Sequence, residues 1–183
     1  DFRPVSQVLD ETAFVNGTVR LMATAGSTNL VLHLPAMARA AGVDLRLEDF
    51  SDLSAAVPLM AKVYPNGLAD VNHFHAAGGL GFMISELLNA GLLHDDVCTI
   101  AGDGLSRYAQ EPKRVDGTLE WQDGASHSRN EKILRPAQDA FQTSGGLRQL
   151  RGNLGQGMMK VSAVAPERHV IEAPARVFHD QAS

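Results

Sequence analysis

The hydrophobic period of this chain changes along its length. Up to about residue 90, apolar residues recur at helical spacing; beyond about residue 110 they fall in short runs broken by glycine. A helix buries a stripe of period 3.6 and a strand buries a face of period 2, so both element types must share the fold. Asp10 is a suitable N-cap for a first helix, carrying Phe14, Val15, Val19 and Met22 at near-helical spacing. The small and polar residues 23–29 break the pattern. A second stripe follows at Leu30, Leu34, Met37 and Ala41, with Gly42 as its C′ residue and Pro35 kinking or restarting it.

Short apolar runs alternate with these helices. Residues 45–47 read as a short strand, 49–54 as a capped turn or short helix, and 57–63 as a buried strand ending in the turn Pro65-Asn66-Gly67. A helix is expected over residues 81–90, with Phe82, Leu87 and Leu88 inward and Gly91 as its stop, then a buried strand over 97–100. This alternation predicts an α/β fold, with residues 1–121 forming a layered α/β domain. Residues 122–131 are polar and aperiodic and read as a linker or exposed loop. Residues 132–183 read as the start of a mainly β second domain, with strands at 158–164 and 169–178.

Charge narrows the function. A formal charge of −5 with only small, dispersed basic groups (Lys113 with Arg114, Arg148 with Arg151) excludes a nucleic-acid backbone binder. It leaves room for local binding of an anionic metabolite. With 44% hydrophobic and 20% charged residues, the chain has ample apolar material for a core. The single cysteine, Cys98, permits no internal disulfide and no Cys-rich metal cluster, which suits a reducing compartment. No apolar run approaches the ~20 residues that span a bilayer. Asn16-Gly17-Thr18 matches a glycosylation acceptor, as many triplets do by chance.

The most suggestive local feature is Gly26-Ser27-Thr28-Asn29 opening a helix, where N–H groups and the positive dipole end suit a carboxylate or phosphate. The plain alternative is that these residues only cap the helix. His33, one turn on, could reach a ligand held there, or serve as a satisfied core histidine. His73 and His75 would face one side on a strand and diverge on a helix; a capping role suits their surroundings better than a metal. Gly102-Asp103-Gly104 and the glycines at 152–157 lack dinucleotide or phosphate-loop spacing and read as turns. Cys98 reads as a small hydrophobe in a buried strand. No catalytic constellation and no metal site emerge from the residues alone.

A longer ordered series carries more. Leu21-Met22-Ala23-Thr24-Ala25-Gly26-Ser27-Thr28-Asn29, continuing through Leu32-His33-Leu34-Pro35, resembles the Gly-Gly-Ser-Thr-Asn segment and following helix of the dihydroxy-acid and 6-phosphogluconate dehydratase family. Tyr64-Pro65-Asn66-Gly67, Ala77-Gly78-Gly79, Gly145-Gly146-Leu147, Gly152-Asn153-Leu154, Lys160-Val161-Ser162-Ala163-Val164 and Ala173-Pro174-Ala175-Arg176 follow in the family's order. Val8-Leu9-Asp10-Glu11, Asn72-His73-Phe74-His75 and Leu105-Ser106-Arg107-Tyr108 look most like the 6-phosphogluconate branch. Ala25 departs from the pattern, which has glycine there.

The resemblance implies a cytoplasmic, homodimeric hydro-lyase acting on a small sugar-acid phosphate. Its reaction would be loss of water from 6-phospho-D-gluconate, with a dihydroxy acid or another sugar acid as the alternative substrate. It implies an iron–sulfur cluster (4Fe-4S) and a divalent cation (Mg or Mn), with ligands in segments other than these residues. The chain would then supply scaffold and substrate contacts, with Gly26, Ser27, Thr28, Asn29 and His33 as candidates, and its second domain would begin a β-barrel. It would be inactive as a fragment. A reading of another class is a non-catalytic anion-binding or oligomerisation module built on the same helix start.

Overall fold

The computed structural model describes residues 2–180. Six helices come first: α1 (Val5–Val8), α2 (Glu11–Thr24), α3 (Leu30–Ala40), α4 (Leu47–Ala56), α5 (Val71–Ala77) and α6 (Gly79–Asn89). Six short strands follow: β1 (Cys98–Thr99), β2 (Gly102–Asp103), β3 (Gln110–Val115), β4 (Thr118–Asp123), β5 (Arg148–Gly152) and β6 (Gly155–Met159). They pair only as three separate antiparallel hairpins, β1–β2, β3–β4 and β5–β6. The fold is thus mixed helix and small sheets, and no closed barrel forms among the described residues.

Helix α2 is central. Asp10 caps it, its carboxylate accepting from the Ala13 N–H at 2.8 Å and the Thr12 hydroxyl at 2.7 Å. The helix buries Phe14, Val19, Leu21, Met22 and Ala23. Asn16 is also buried, and its amide exchanges two 2.9 Å bonds with the backbone of His94, so it ties α2 to the loop after α6. Its buried side chains share one apolar cluster with Phe50 of α4, Phe82, Met83, Ile84 and Leu87 of α6, and Leu134 and Leu147 from the second half of the chain. Each large side chain buried this fully stabilises the fold by roughly 1.5–3 kcal/mol relative to exposure.

The Asp10 cap makes a testable contribution. Bonds from Thr12 and Ala13 hold its carboxyl below the ordinary value of 3.8. A carboxylate depressed in the folded state stabilises fully above its unfolded pKa, and that contribution fades as pH falls through the lower folded value. Asp10→Ala is therefore expected to cost about 1 kcal/mol at pH 7 and much less in strong acid. Urea melts of both proteins at neutral and strongly acidic pH would show it. An unchanged difference between the two pH values would count against the cap.

Of residues 57–63, expected as a buried strand, Val57, Leu59, Met60 and Ala61 are buried and Lys62 is exposed, and the segment makes isolated bridges in place of a regular ladder. The Met60 and Ala61 N–H groups donate to the Ala23 carbonyl at the end of α2, at 2.8 and 3.2 Å. Leu59 and Ala61 bridge Gln142 and Leu134. The segment thus satisfies a helix-end carbonyl that would otherwise lack a partner.

Five expectations are corrected. Residues 45–47 form no strand: Leu47 opens α4, because the Asp49 carboxylate accepts from the Arg46 N–H at 2.7 Å and starts a helix there. Residues 169–178 are irregular and exposed, since no neighbouring strand offers them a ladder. The strand expected over 158–164 stops at Met159, where a short 3-10 turn, Val161–Ala163, takes over. The loop expected at 122–131 starts slightly later, because Gln122 and Asp123 pair in β4 opposite Glu111 and Gln110. Of the expected α3 stripe, Leu34 packs against the core while Leu30, Met37 and Ala41 are exposed; Ala38 is the buried residue, and Leu32, off the stripe, is 72% exposed.

Candidate functional site

The α2–α3 turn is the centre of the candidate site. Helix α2 ends with Ala25 in the left-handed conformation, φ 45° and ψ 53°. Glycine adopts that conformation without cost, which gives a physical reason for glycine at this place in the pattern the chain resembles. The Ala25 and Gly26 N–H groups close the helix end on the Met22 and Leu21 carbonyls at 3.3 and 3.1 Å. The chain then turns and enters α3.

The turn's own geometry limits how it can hold an anion. The N–H groups of Leu30, Val31 and Leu32 donate to the Ser27, Thr28 and Asn29 carbonyls at 3.0–3.1 Å, so the first-turn amides of α3 are occupied. The Asn29 N–H is 3.2 Å from the Ser27 hydroxyl oxygen, which accepts from it. Asn29 stands at the N-cap without a side-chain capping bond. What the turn offers a ligand is its side chains: Ser27, Thr28 and Asn29 are all exposed, and so is His33 one turn on, while Gly26 is half-buried. All five candidate residues share this one helix entrance.

Segments distant in sequence support the turn from below. The Asn66 side-chain amide donates to the Ala25 carbonyl at 3.1 Å. The Ser162 hydroxyl lies 2.7 Å from the Asn66 side-chain oxygen and 3.2 Å from the Gly146 carbonyl, either of which can accept its proton. The Gly146 N–H donates to the Met22 carbonyl at 3.3 Å. Two positions earlier than Ser162, Lys160 is partly buried, and burial pushes its ammonium below the ordinary 10.5. Sequence reasoning places Asn66 in a turn and misses that it locks the α2 end to residues 146 and 162. Nothing local signals that partnership.

The other candidates fall elsewhere. His73 sits in the cap of α5, its Nδ1 2.8 Å from the Asp70 carboxylate, whose other role is to accept from the His73 N–H at 3.0 Å. The capping role is the one the structure gives it. Cys98 is half-buried and not a simple core residue: its sulfur accepts from the Arg3 guanidinium at 2.9 Å. Among the described residues, no group of three or more His, Cys, Asp or Glu side chains is placed to hold a metal ion. None of the helices among them is long and apolar enough to cross a membrane.

Comparison with known proteins agrees with the ordered motifs. Residues 1–108 match the family described as dihydroxy-acid/6-phosphogluconate dehydratase N-terminal, and residues 132–183 match its C-terminal counterpart. The chain is 56% identical over 183 residues to the phosphogluconate dehydratase of Pseudomonas aeruginosa and 53% identical over 181 residues to that of Escherichia coli. It is 39% identical over 178 residues to the dihydroxy-acid dehydratase of Caldanaerobacter subterraneus. The matches cover 100%, 99% and 96% of this chain, and the chain spans about 30% of the length of each of these curated relatives. On these matches, the chain belongs to the dihydroxy-acid/6-phosphogluconate dehydratase family.

Proposed function

We propose that the chain is a segment of a hydro-lyase that dehydrates 6-phospho-D-gluconate to 2-keto-3-deoxy-6-phosphogluconate in the Entner–Doudoroff pathway. The observation that carries this reading is identity of 46–56% over nearly all of this chain to seven phosphogluconate dehydratases, against 39% to a dihydroxy-acid dehydratase. The gap between the family matches, residues 109–131, supports a boundary between two domains. On this reading residues 1–121 are the C-terminal part of a layered α/β domain, 122–131 are the link, and 132–183 begin a β-barrel-like domain. The outward apolar face of α3, with Leu32 and Met37 exposed, supports packing against further segments.

The reaction removes a weakly acidic C2 proton and a poorly leaving C3 hydroxyl, so it needs a base and an electrophile. The described residues do not fit an iron–sulfur cluster or a clustered cation site: Cys98 is the single thiol and is engaged by Arg3. On this reading a 4Fe-4S cluster and a divalent Mg or Mn ion are held by other segments of a cytoplasmic homodimer. What this chain contributes is positioning. Ser27, Thr28 and Asn29 present exposed donors and acceptors to a sugar acid, His33 lies one turn beyond, and the Asn66–Ser162 bonds fix the turn that carries them.

The test is turnover by the full-length protein after cluster and cation reconstitution. The expected result is 2-keto acid formation from 6-phosphogluconate and little from a dihydroxy acid such as 2,3-dihydroxyisovalerate. Thr28→Val with Asn29→Leu is expected to lower kcat/KM by about 10- to 100-fold, the loss of a hydrogen bond to a charged ligand. Preference for the dihydroxy acid would move the chain to the other branch. A folded, reconstituted protein that turns over neither would favour the anion-binding module.

A further inference from the structure

Arg20 sits on α2 between buried neighbours and makes no side-chain hydrogen bond or ion pair with any described residue. Its guanidinium is partly desolvated, and burial pushes its pKa down. The other charges nearby are partnered. Glu111 lies 3.5 Å from Arg129 and 4.0 Å from Lys113, and Arg107 stacks on the Trp121 ring with 4.9 Å to its centroid. A charge taken out of water is costly unless paired, so Arg20 stands out as lacking a counter-ion.

It faces a cavity of about 320 Å³ between α2, α5, α6 and the β3–β4 hairpin. Phe74, Tyr108 and Trp121 supply apolar and aromatic walls, and Arg20, His75 and Gln110 supply the polar groups. Few polar groups set in an apolar lining is the usual character of a small-molecule site, and this volume lies at the small end of the range. A guanidinium binds a carboxylate through two parallel hydrogen bonds. The apolar walls favour a ligand with an apolar body over a bare inorganic anion. Glu111, which also lines the cavity, is held by Arg129 and Lys113 and leaves Arg20 unneutralised. None of these residues belongs to the α2–α3 turn.

We propose that this cavity is a binding site for a small organic carboxylate, gripped by Arg20 and held between Phe74, Tyr108 and Trp121. The proposal does not depend on the dehydratase assignment. Benzoate is a probe of suitable size, and benzamide is its uncharged counterpart. Calorimetric titration of the full-length protein is expected to show saturable, one-to-one benzoate binding and at least tenfold weaker benzamide binding. Arg20→Gln is expected to lose benzoate affinity at least tenfold while keeping or raising Tm, because it removes an unpaired desolvated charge. Trp121→Leu, at a half-exposed position, should weaken benzoate several-fold with the fold intact. Equal binding of benzoate and benzamide, or unchanged benzoate binding by Arg20→Gln, would overturn the proposal. So would absent benzoate binding together with a lowered Tm in Arg20→Gln, since a protein carboxylate would then already occupy Arg20.

Discussion

Gly146→Ala is expected to destabilise the fold by about 3 kcal/mol, the upper part of the range for overpacking a filled interior. A Cβ at residue 146 would sit 2.1 Å from the Ala25 Cβ, 2.5 Å from the Ser162 hydroxyl and 3.0 Å from the Ala25 Cα. Neither side can withdraw cheaply. Ala25 is fixed by its N–H on the α2 carbonyls and by Asn66 on its own carbonyl. Gly146 is fixed by its N–H on Met22 and by the Ser162 N–H on its carbonyl at 3.3 Å. Urea denaturation would measure the loss. Gly157→Ala is the control: nothing lies within 4 Å of its added Cβ, so a change within about 0.5 kcal/mol is expected. Adding Ala25→Gly to Gly146→Ala should recover part of the loss, since it removes the nearest clashing atom and the left-handed cost of alanine. Wild-type stability for Gly146→Ala alone would mean that residues 25 and 146 are not packed as described.

The same junction shows what the sequence makes legible. Signals carried within one turn of chain read correctly: Asp10 caps α2, and Gly42 and Gly91 follow α3 and α6 with φ of 83° and 67°. The Asp116-Gly117 pair, with φ of 47° and 84°, is a strong hairpin signal, and it sits among exposed polar residues whose composition masks the strands around it. Residues 45–47 mislead because two leucines flanking one arginine alternate like a strand, while the helix start at Leu47 depends on Asp49 two residues further on. Residues 169–178 have strand-like composition, yet a strand needs a partner ladder and none is adjacent. The α2–α3 turn is visible as a break in period. Its support is not, because Asn66 is 41 residues from Ala25 and 96 from Ser162. Arg20 is invisible for the opposite reason: one cation in an apolar stripe looks like a solvated face until its surroundings are built.

Leu134→Ala is expected to cost about 3 kcal/mol, the middle of the range for truncating a buried leucine. Leu134 is fully buried, and its place in the core is set by backbone bonds on both sides: the Lys62 N–H donates to the Ile133 carbonyl at 2.8 Å and the Arg135 N–H to the Met60 carbonyl at 2.9 Å. It therefore shares one apolar cluster with Met22, Met60 and Phe82, although it follows the polar stretch that reads as a link between domains. That sharing has a consequence beyond the size of the loss. If the link separated two independent units, the truncation would loosen only residues 133–147, because a cooperative unit loses protection as a whole and its neighbours do not. With one shared cluster, amide hydrogen exchange by mass spectrometry should show protection falling together in residues 133–147 and in the Val19–Ala23 stretch of α2. Loss confined to residues 133–147 would mean that the helices keep their core without Leu134. Parallel loss would mean that residues after 132 complete the core on which the α2–α3 turn is built, so that the turn cannot be positioned by the first 121 residues alone.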